Sequence, residues 1–86
     1  MFKIWAKVIK DGKILNQLTY EGDGKIVYSD FFKYLADICE GLDIATPILL
    51  KTHVFNFAKF NTVRFIPRDF AESVTFDKLV LDRIIV

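Results

Sequence analysis

The two side chains best suited to nucleophilic catalysis, a cysteine and a histidine, each occur once in this sequence, as Cys39 and His53. A thiol enzyme would need His53 to take the proton of Cys39. However, Cys39 lies one helical turn from Leu35 and from Leu42, on the apolar side of a predicted helix. Free cysteines in such positions commonly act as small buried hydrophobic side chains. We therefore assign no catalytic residue.

The sequence also contains no motif typical of a metal site or of a phosphate-binding site. A metal site needs several His, Cys or carboxylate ligands that converge, whereas Asp37, Glu40 and Asp43 recur at the spacing typical of the solvated side of an amphipathic helix. Gly22-Asp23-Gly24 is too short for a phosphate-binding loop, and no Gly-Lys-Ser/Thr pattern follows it. The sequence predicts a non-enzymatic protein with no metal, no cofactor and no evident small-molecule substrate.

A basic and aromatic segment suggests binding to nucleic acid. Residues 44–68 carry four cations and no acid, interleaved with phenylalanines. Aromatic faces stack on bases and cations contact phosphates when single strands are bound. The candidate residues are Lys59, Phe60, Arg64 and Arg68. The net charge of +1 argues against this function, because nucleic-acid-binding domains are usually strongly basic.

Protein association is the function that the sequence favours, with a protein partner or with a second copy as a homodimer. Trp5 alternates with Lys3 and Lys7 on the side of a predicted strand opposite Ile4, and Trp is among the residues that anchor interfaces. The apolar segment Ile84-Ile85-Val86 would add an edge strand to a partner. The interaction candidates are Lys3, Trp5, Lys7, Ile84 and Val86. In the alternative interpretation, Trp5 packs on its neighbours and the terminus pairs internally.

The elements that position these residues begin with a predicted hairpin over the first twenty residues. Phe2, Ile4, Ala6 and Val8 recur with the period of two that is typical of a half-buried strand. Asp11-Gly12 is a strong hairpin signal, since both central positions of the turn need a positive φ. The returning strand is expected to place Ile14, Asn16, Leu18 and Tyr20 on one side.

Two helices are predicted next. The first spans about 30–40, begins at Ser29 as the N-cap with Asp30 in its first turn, and ends at Gly41. The second spans 53–60 with Thr52 as its cap, because adjacent apolar pairs do not alternate as a half-buried strand would. A fully buried strand remains the alternative for 53–60.

The rest of the chain predicts strands. Residues 62–66 form one that Pro67 ends, and residues 74–86 form one or two more. The expected fold is a single α+β domain over 1–86, a small antiparallel sheet with two helices on one face, in the order ββααββ. No apolar run is long enough for a transmembrane helix, no signal-peptide pattern is present and the lone cysteine indicates no disulfide scaffold, so we expect a cytoplasmic protein without membrane contact.

Charge is segregated along the chain. The net charge is +3 over residues 1–14, −4 over 15–43, +4 over 44–68 and −2 over the remainder. Whether the two basic segments meet on one surface depends on the fold.

Several segments together carry a resemblance to known sequences. They are Trp5-Ala6-Lys7-Val8-Ile9-Lys10-Asp11, Leu42-Asp43, Pro47-Ile48 with Leu50, Phe57-Ala58-Lys59-Phe60-Asn61-Thr62-Val63-Arg64-Phe65, Asp69-Phe70 and Phe76-Asp77. In these segments the chain resembles a group of short uncharacterised proteins from anaerobic Gram-positive bacteria. The resemblance implies a bacterial cytoplasmic source and one domain over the whole chain. It transfers no functional residue.

Overall fold

The computed structural model describes residues 1–85, whose regular structure consists of four strands and two α-helices. They are β1 (Phe2–Lys10), β2 (Lys13–Gly22), α1 (Phe31–Leu42), α2 (Lys51–Phe60), β3 (Thr62–Phe65) and β4 (Lys78–Ile84). Two 3-10 turns, Tyr28–Asp30 and Pro67–Asp69, precede α1 and follow β3. The α+β class is therefore confirmed, and the strands and α-helices follow one another as ββααββ.

The four strands form one antiparallel sheet in the order β2-β1-β4-β3. β4 comes last in the sequence yet lies in the middle of the sheet, where it pairs with β1 on one side and with β3 on the other. Within residues 1–85, the segment from 74 onward supplies this one strand. The edges of the sheet are β2 and β3.

The hairpin of β1 and β2 forms around the predicted turn. Asp11 and Gly12 have φ angles of 52° and 75°, as a turn with two left-handed central residues requires. Ala6 lies opposite Leu18 on the core side, but the register shifts between Val8 and Ile9. Ile14 therefore lies opposite Ile9 and is 46% exposed, so the expectation that it shares a side with Leu18 is wrong. A one-residue bulge moves the residues beyond it to the other face.

The helices differ from the predictions at their ends. α1 continues through Gly41 and ends where Asp43 adopts a left-handed φ of 56°. Ser29 lies in the 3-10 turn and is not the N-cap, so that prediction is wrong. α2 is a helix, as predicted in preference to a strand; it begins at Lys51, ahead of the expected cap Thr52, and Asn61 ends it with a φ of 60°.

One face of the sheet packs against both helices. The even-numbered residues of β1 from Phe2 to Val8 are buried in a core cluster that includes side chains from α1, α2, β3 and β4. The rings of Phe31 and Phe57 bridge the two helices, with centroids 5.0 Å apart. The odd-numbered residues of β1 lie on the opposite side of the sheet. Among residues 1–85, no helix has the length and apolar character that crossing a bilayer requires.

Candidate functional site

The side of the sheet away from the helices is called here the open sheet face. Strand alternation and register place on it Lys3, Trp5, Lys7, Ile9, Gln17, Thr19, Glu21, Thr62, Arg64, Lys78, Val80, Asp82 and Ile84. The face includes all the interaction candidates of β1 and β4 that the structure describes. It also includes Arg64 from the second basic segment. Lys7 and Arg64 both lie opposite Val80, from β1 and β3 respectively, so the two basic segments meet on one surface.

Trp5 is held in place by polar neighbours on this face. Its indole Nε1–H donates a hydrogen bond of 2.8 Å to Oε1 of Gln17 on β2. The ammonium group of Lys7 lies 4.0 Å from the centroid of the Trp5 ring, within the range of a cation–π contact. The side chain is 36% exposed. Both the polar edge and the ring of Trp5 therefore have partners within the chain.

Lys7 is in turn fixed by Asp82 of β4, with 2.6 Å between Nζ and Oδ2. The other carboxylate oxygen of Asp82 accepts a hydrogen bond from the hydroxyl of Thr62. Burial raises the pKa of Asp82, but the hydrogen bonds from Lys7 and Thr62 and the charge of Lys7 outweigh it, so that its pKa lies below the ordinary value. Lys3 pairs with Glu21 at 3.5 Å. Both candidate lysines of β1 are thus engaged in ion pairs.

Of the two interaction candidates near the end of the chain, the structure describes only Ile84. Ile84 pairs with Lys3 inside the sheet and is 37% exposed. The alternative of internal pairing is therefore the arrangement found at Ile84, because β4 is a central strand. Val86 lies outside the described residues.

Three of the four nucleic-acid candidates lie together. Phe60 and Arg64 line a groove of about 570 Å³ between α2 and β3, called here the β3-edge groove. Lys59 lies beside it, with Nζ 5.4 Å from the centroid of the Phe60 ring. Arg68 belongs to the turn after β3 and lines a separate hollow with Phe70. The sequence segment is thus divided between two places on the surface.

The outer side of the helices carries an exposed apolar surface that the sequence analysis missed. An open hollow of about 430 Å³ is lined by Tyr28, Lys51, Val54, Phe55 and Ala58, which are called here the apolar patch. Phe55 is the most exposed of its aromatic side chains, at 73%. The signal was present in the sequence, because Val54-Phe55 and Phe57-Ala58 are adjacent apolar pairs and a helix buries only one side.

Phe32 of α1 is a second exposed aromatic residue of the helix layer, and it is not among the residues that line this patch. It is 57% exposed and starts a row that continues with Ala36 at helical spacing. Asp37 and Gly41 lie on the side of α1 that faces β2. Asp37 accepts a hydrogen bond from Tyr20, and a Cβ on Gly41 would meet Leu18. Phe32 therefore lies on the side of α1 that faces away from β2.

Cys39 and His53 are both fixed inside the structure. Burial raises the pKa of the Cys39 thiol to about 11, although a hydrogen bond with Thr46 acts in the opposite direction. The His53 ring accepts the Leu50 N–H on Nδ1 at 2.9 Å, and its Nε2 lies 3.8 Å from the carboxylate of Asp69. In residues 1–85 no hydrogen bond joins the thiol to the imidazole, and no three His, Cys, Asp or Glu side chains are grouped to hold a metal.

Comparison with known proteins gives no relative. No protein-family model matches this chain, and neither curated protein sequences nor solved structures gave a match. Function is therefore argued from the three surfaces described above, the open sheet face, the β3-edge groove and the apolar patch.

Proposed function

We propose that this protein is a non-enzymatic interaction module that associates with a second copy of itself through the apolar patch. The observation that carries the proposal is the exposure of Phe55, which is 73% exposed and lines an apolar hollow. Tyr28 of the same patch is 36% exposed, and Phe32 on α1 is a further exposed aromatic residue of the helix layer, at 57%. Contiguous exposed apolar surface on a small domain is typical of interaction sites.

The buried thiol and the engaged histidine support the non-enzymatic part of the proposal. The raised pKa keeps Cys39 protonated at neutral pH, and a thiol is a much poorer nucleophile than a thiolate. His53 uses Nδ1 to hold the N-terminus of α2. Both side chains thus have a structural explanation.

The opposite charges of the two helices favour a second copy as the partner. α1 carries Lys33, Asp37 and Glu40, for a net charge of −1, and Asp30 and Asp43 flank its two ends, whereas α2 carries two lysines and no acid. A twofold axis through the helix layer would lay α1 of one copy against α2 of the other. The dimer then contains two equivalent contacts between an α1 and an α2 of opposite charge, and the exposed aromatic side chains lie between the helices. Such a self-complementary surface is what a closed dimer requires.

Sedimentation velocity over a concentration series, from about 1 µM to about 1 mM, tests the proposal. We expect a concentration-dependent dimer of the natural protein and a monomer for Phe55→Asp, because the variant places a charge in the apolar centre of the interface. The matched control is Ile14→Asp, which makes the same kind of change at an exposed apolar residue of the hairpin. The control should dimerise as the natural protein does.

Two results would contradict this proposal. A natural protein that stays monomeric up to about 1 mM would exclude self-association of useful strength. Dimerisation that survives Phe55→Asp but is lost in Trp5→Ala would move the interface to the open sheet face, where the sequence analysis placed it. Circular dichroism of each variant checks that the fold is retained.

A further inference from the structure

The β3-edge groove has a composition unlike that of the apolar patch. Its walls are formed by α2 on one side and by β3 and β4 on the other. The polar and aromatic side chains that line it include Thr52, Asn56, Phe60, Thr62, Arg64 and Lys78. Its volume of about 570 Å³ lies within the range of small-ligand sites.

The charge of the groove is positive. Arg64 and Lys78 line it, and no carboxylate is among its lining residues in the described part of the chain. Within residues 1–85 neither cation forms an ion pair, in contrast to Lys3 and Lys7 on the same face of the sheet. Two carboxylates lie close to these cations along the chain. Both oxygens of Asp82 are occupied, by Lys7 and Thr62, and Asp77, which precedes Lys78, accepts the backbone N–H of Asp11. Arg64 and Lys78 are thus available to an anionic ligand.

The groove also offers an aromatic face and polar side chains. Phe60 is 59% exposed, and the ammonium group of Lys59 lies near its ring. Thr52 and Asn56 make no side-chain hydrogen bond among the described residues, so their polar groups remain open to a ligand. A planar base can stack on such a ring while amide and hydroxyl groups contact its edge.

The groove continues onto the open sheet face. Arg64 and Lys7 flank Val80 from opposite sides, so a chain that leaves the groove next meets the part of the sheet that carries Lys7 and Trp5. A free phosphate or mononucleotide would use the groove alone. A polymer with a phosphate at every unit would use both parts of the surface.

From this arrangement we infer that the β3-edge groove binds a segment of single-stranded nucleic acid. Arg64 and Lys78 contact a backbone phosphate, Phe60 stacks on a base, and the strand continues across the open sheet face past Lys7. The groove and the apolar patch lie on different surfaces, so this inference does not depend on the proposed dimer.

Fluorescence anisotropy with labelled single strands of about 12 nucleotides, oligo(U) and oligo(dT), tests the inference. We expect saturable binding at about 50 mM salt that weakens steeply towards about 200 mM, since phosphate contacts release counterions. Arg64→Glu and Lys78→Glu should each weaken binding at least about tenfold. Arg68→Glu is the matched control, because it makes the same change of charge in the same sequence segment but outside the groove. It should change binding less than about twofold.

Further measurements distinguish between the classes of ligand and between the two proposals. Inorganic phosphate and AMP should compete only at concentrations far above that of the oligonucleotide. Phe55→Asp should bind the oligonucleotide as the natural protein does, so loss of the dimer and loss of binding are distinguishable. Absence of binding at about 50 mM salt would overturn the inference. So would an equal loss in Arg64→Glu and Arg68→Glu, which would indicate unspecific attraction by charge alone.

Discussion

Trp5 on the open sheet face and Phe55 on the helix layer are both exposed aromatic residues, but their surroundings differ. Trp5 donates a hydrogen bond to Gln17, lies beneath the ammonium group of Lys7 and is 36% exposed. Phe55 is twice as exposed, at 73%, and lies at the rim of an apolar hollow. The first ring is bound into a network of its own chain, whereas the second has most of its surface in water.

An aromatic residue on a surface is therefore a candidate for binding only if its polar group and its ring lack partners within its own chain. Trp5 contributes to the stability of the sheet, because its removal leaves Gln17 without its hydrogen-bond donor and Lys7 without the ring that it contacts. Phe55 contributes little to the stability of the folded monomer, and its side chain contributes favourable free energy only when a partner covers it. In the sequence both residues are aromatic and have a lysine on each side, two positions away from Trp5 and four positions away from Phe55, so the sequence does not distinguish them.

The largest expected effect is on the free energy of unfolding of Trp5→Ala. We expect a loss of about 2 kcal/mol, from the hydrogen bond to Gln17, the contact with Lys7 and the packing of the ring. Phe55→Ala should change the stability of the monomer by less than about 0.5 kcal/mol, because its side chain is already in water. Urea unfolding at a low protein concentration, where dimers are absent, measures both. Equal losses in the two variants would remove the distinction between the surfaces.

The next effect concerns the ion pair that holds Lys7 over Trp5. We expect Asp82→Asn to lower stability at pH 7 by about 1 kcal/mol, a modest figure because the carboxylate is partly exposed to solvent. Its folded pKa is lowered, so the stabilisation is complete above the unfolded pKa of about 4 and is lost as the pH falls through the folded pKa.

The difference between Asp82→Asn and the natural protein should accordingly shrink below about pH 4. Glu21→Gln is the matched control, since the pair of Glu21 with Lys3 is longer and more exposed. It should change stability by less than about 0.5 kcal/mol at pH 7. Urea unfolding across pH measures both variants, and a difference that grows towards low pH would contradict the assigned role of Asp82.

The smallest expected effect concerns the charges of the two helices. Glu40→Lys on α1 or Lys51→Glu on α2 should each weaken the dimer about threefold, because each places like charges across the twofold axis. The double variant exchanges the two charges and should recover most of the affinity. Sedimentation at low salt measures this, and the differences should fade at high salt. A double variant that is weaker than both single variants would exclude the pairing of α1 with α2.

Local patterns in the sequence were sufficient for most of the fold. The Asp11-Gly12 turn, the alternation of β1 and the helical spacing of the apolar residues in α1 each reflect interactions between near neighbours in the chain. The bulge opposite Ile9 and the central position of β4 did not follow from such patterns. Both depend on pairing between distant segments, for which the sequence carries no local signal.

The candidate surfaces were predictable only in part, for the same reason. Arg64 and Phe60 were identified as candidates by type, but Lys78, which completes the groove, comes from a strand whose position was unknown. The exposure of Phe55 requires knowing which side of α2 faces the sheet. His53 and Phe57, four residues apart and both buried, define that side.

The central position of β4 bears on when the protein can fold during synthesis. Lys3 pairs with Ile84, so the middle of the sheet cannot close until nearly all of the described chain has left the ribosome. Until then the hairpin of β1 and β2 presents its apolar side without a partner strand on β1, and β3 has none at all. Contacts so distant in sequence close slowly, because loop-closure entropy must be overcome before they form. A nascent chain of this protein therefore passes through a stage in which its sheet is open in the middle, when it is most exposed to aggregation and to capture by chaperones.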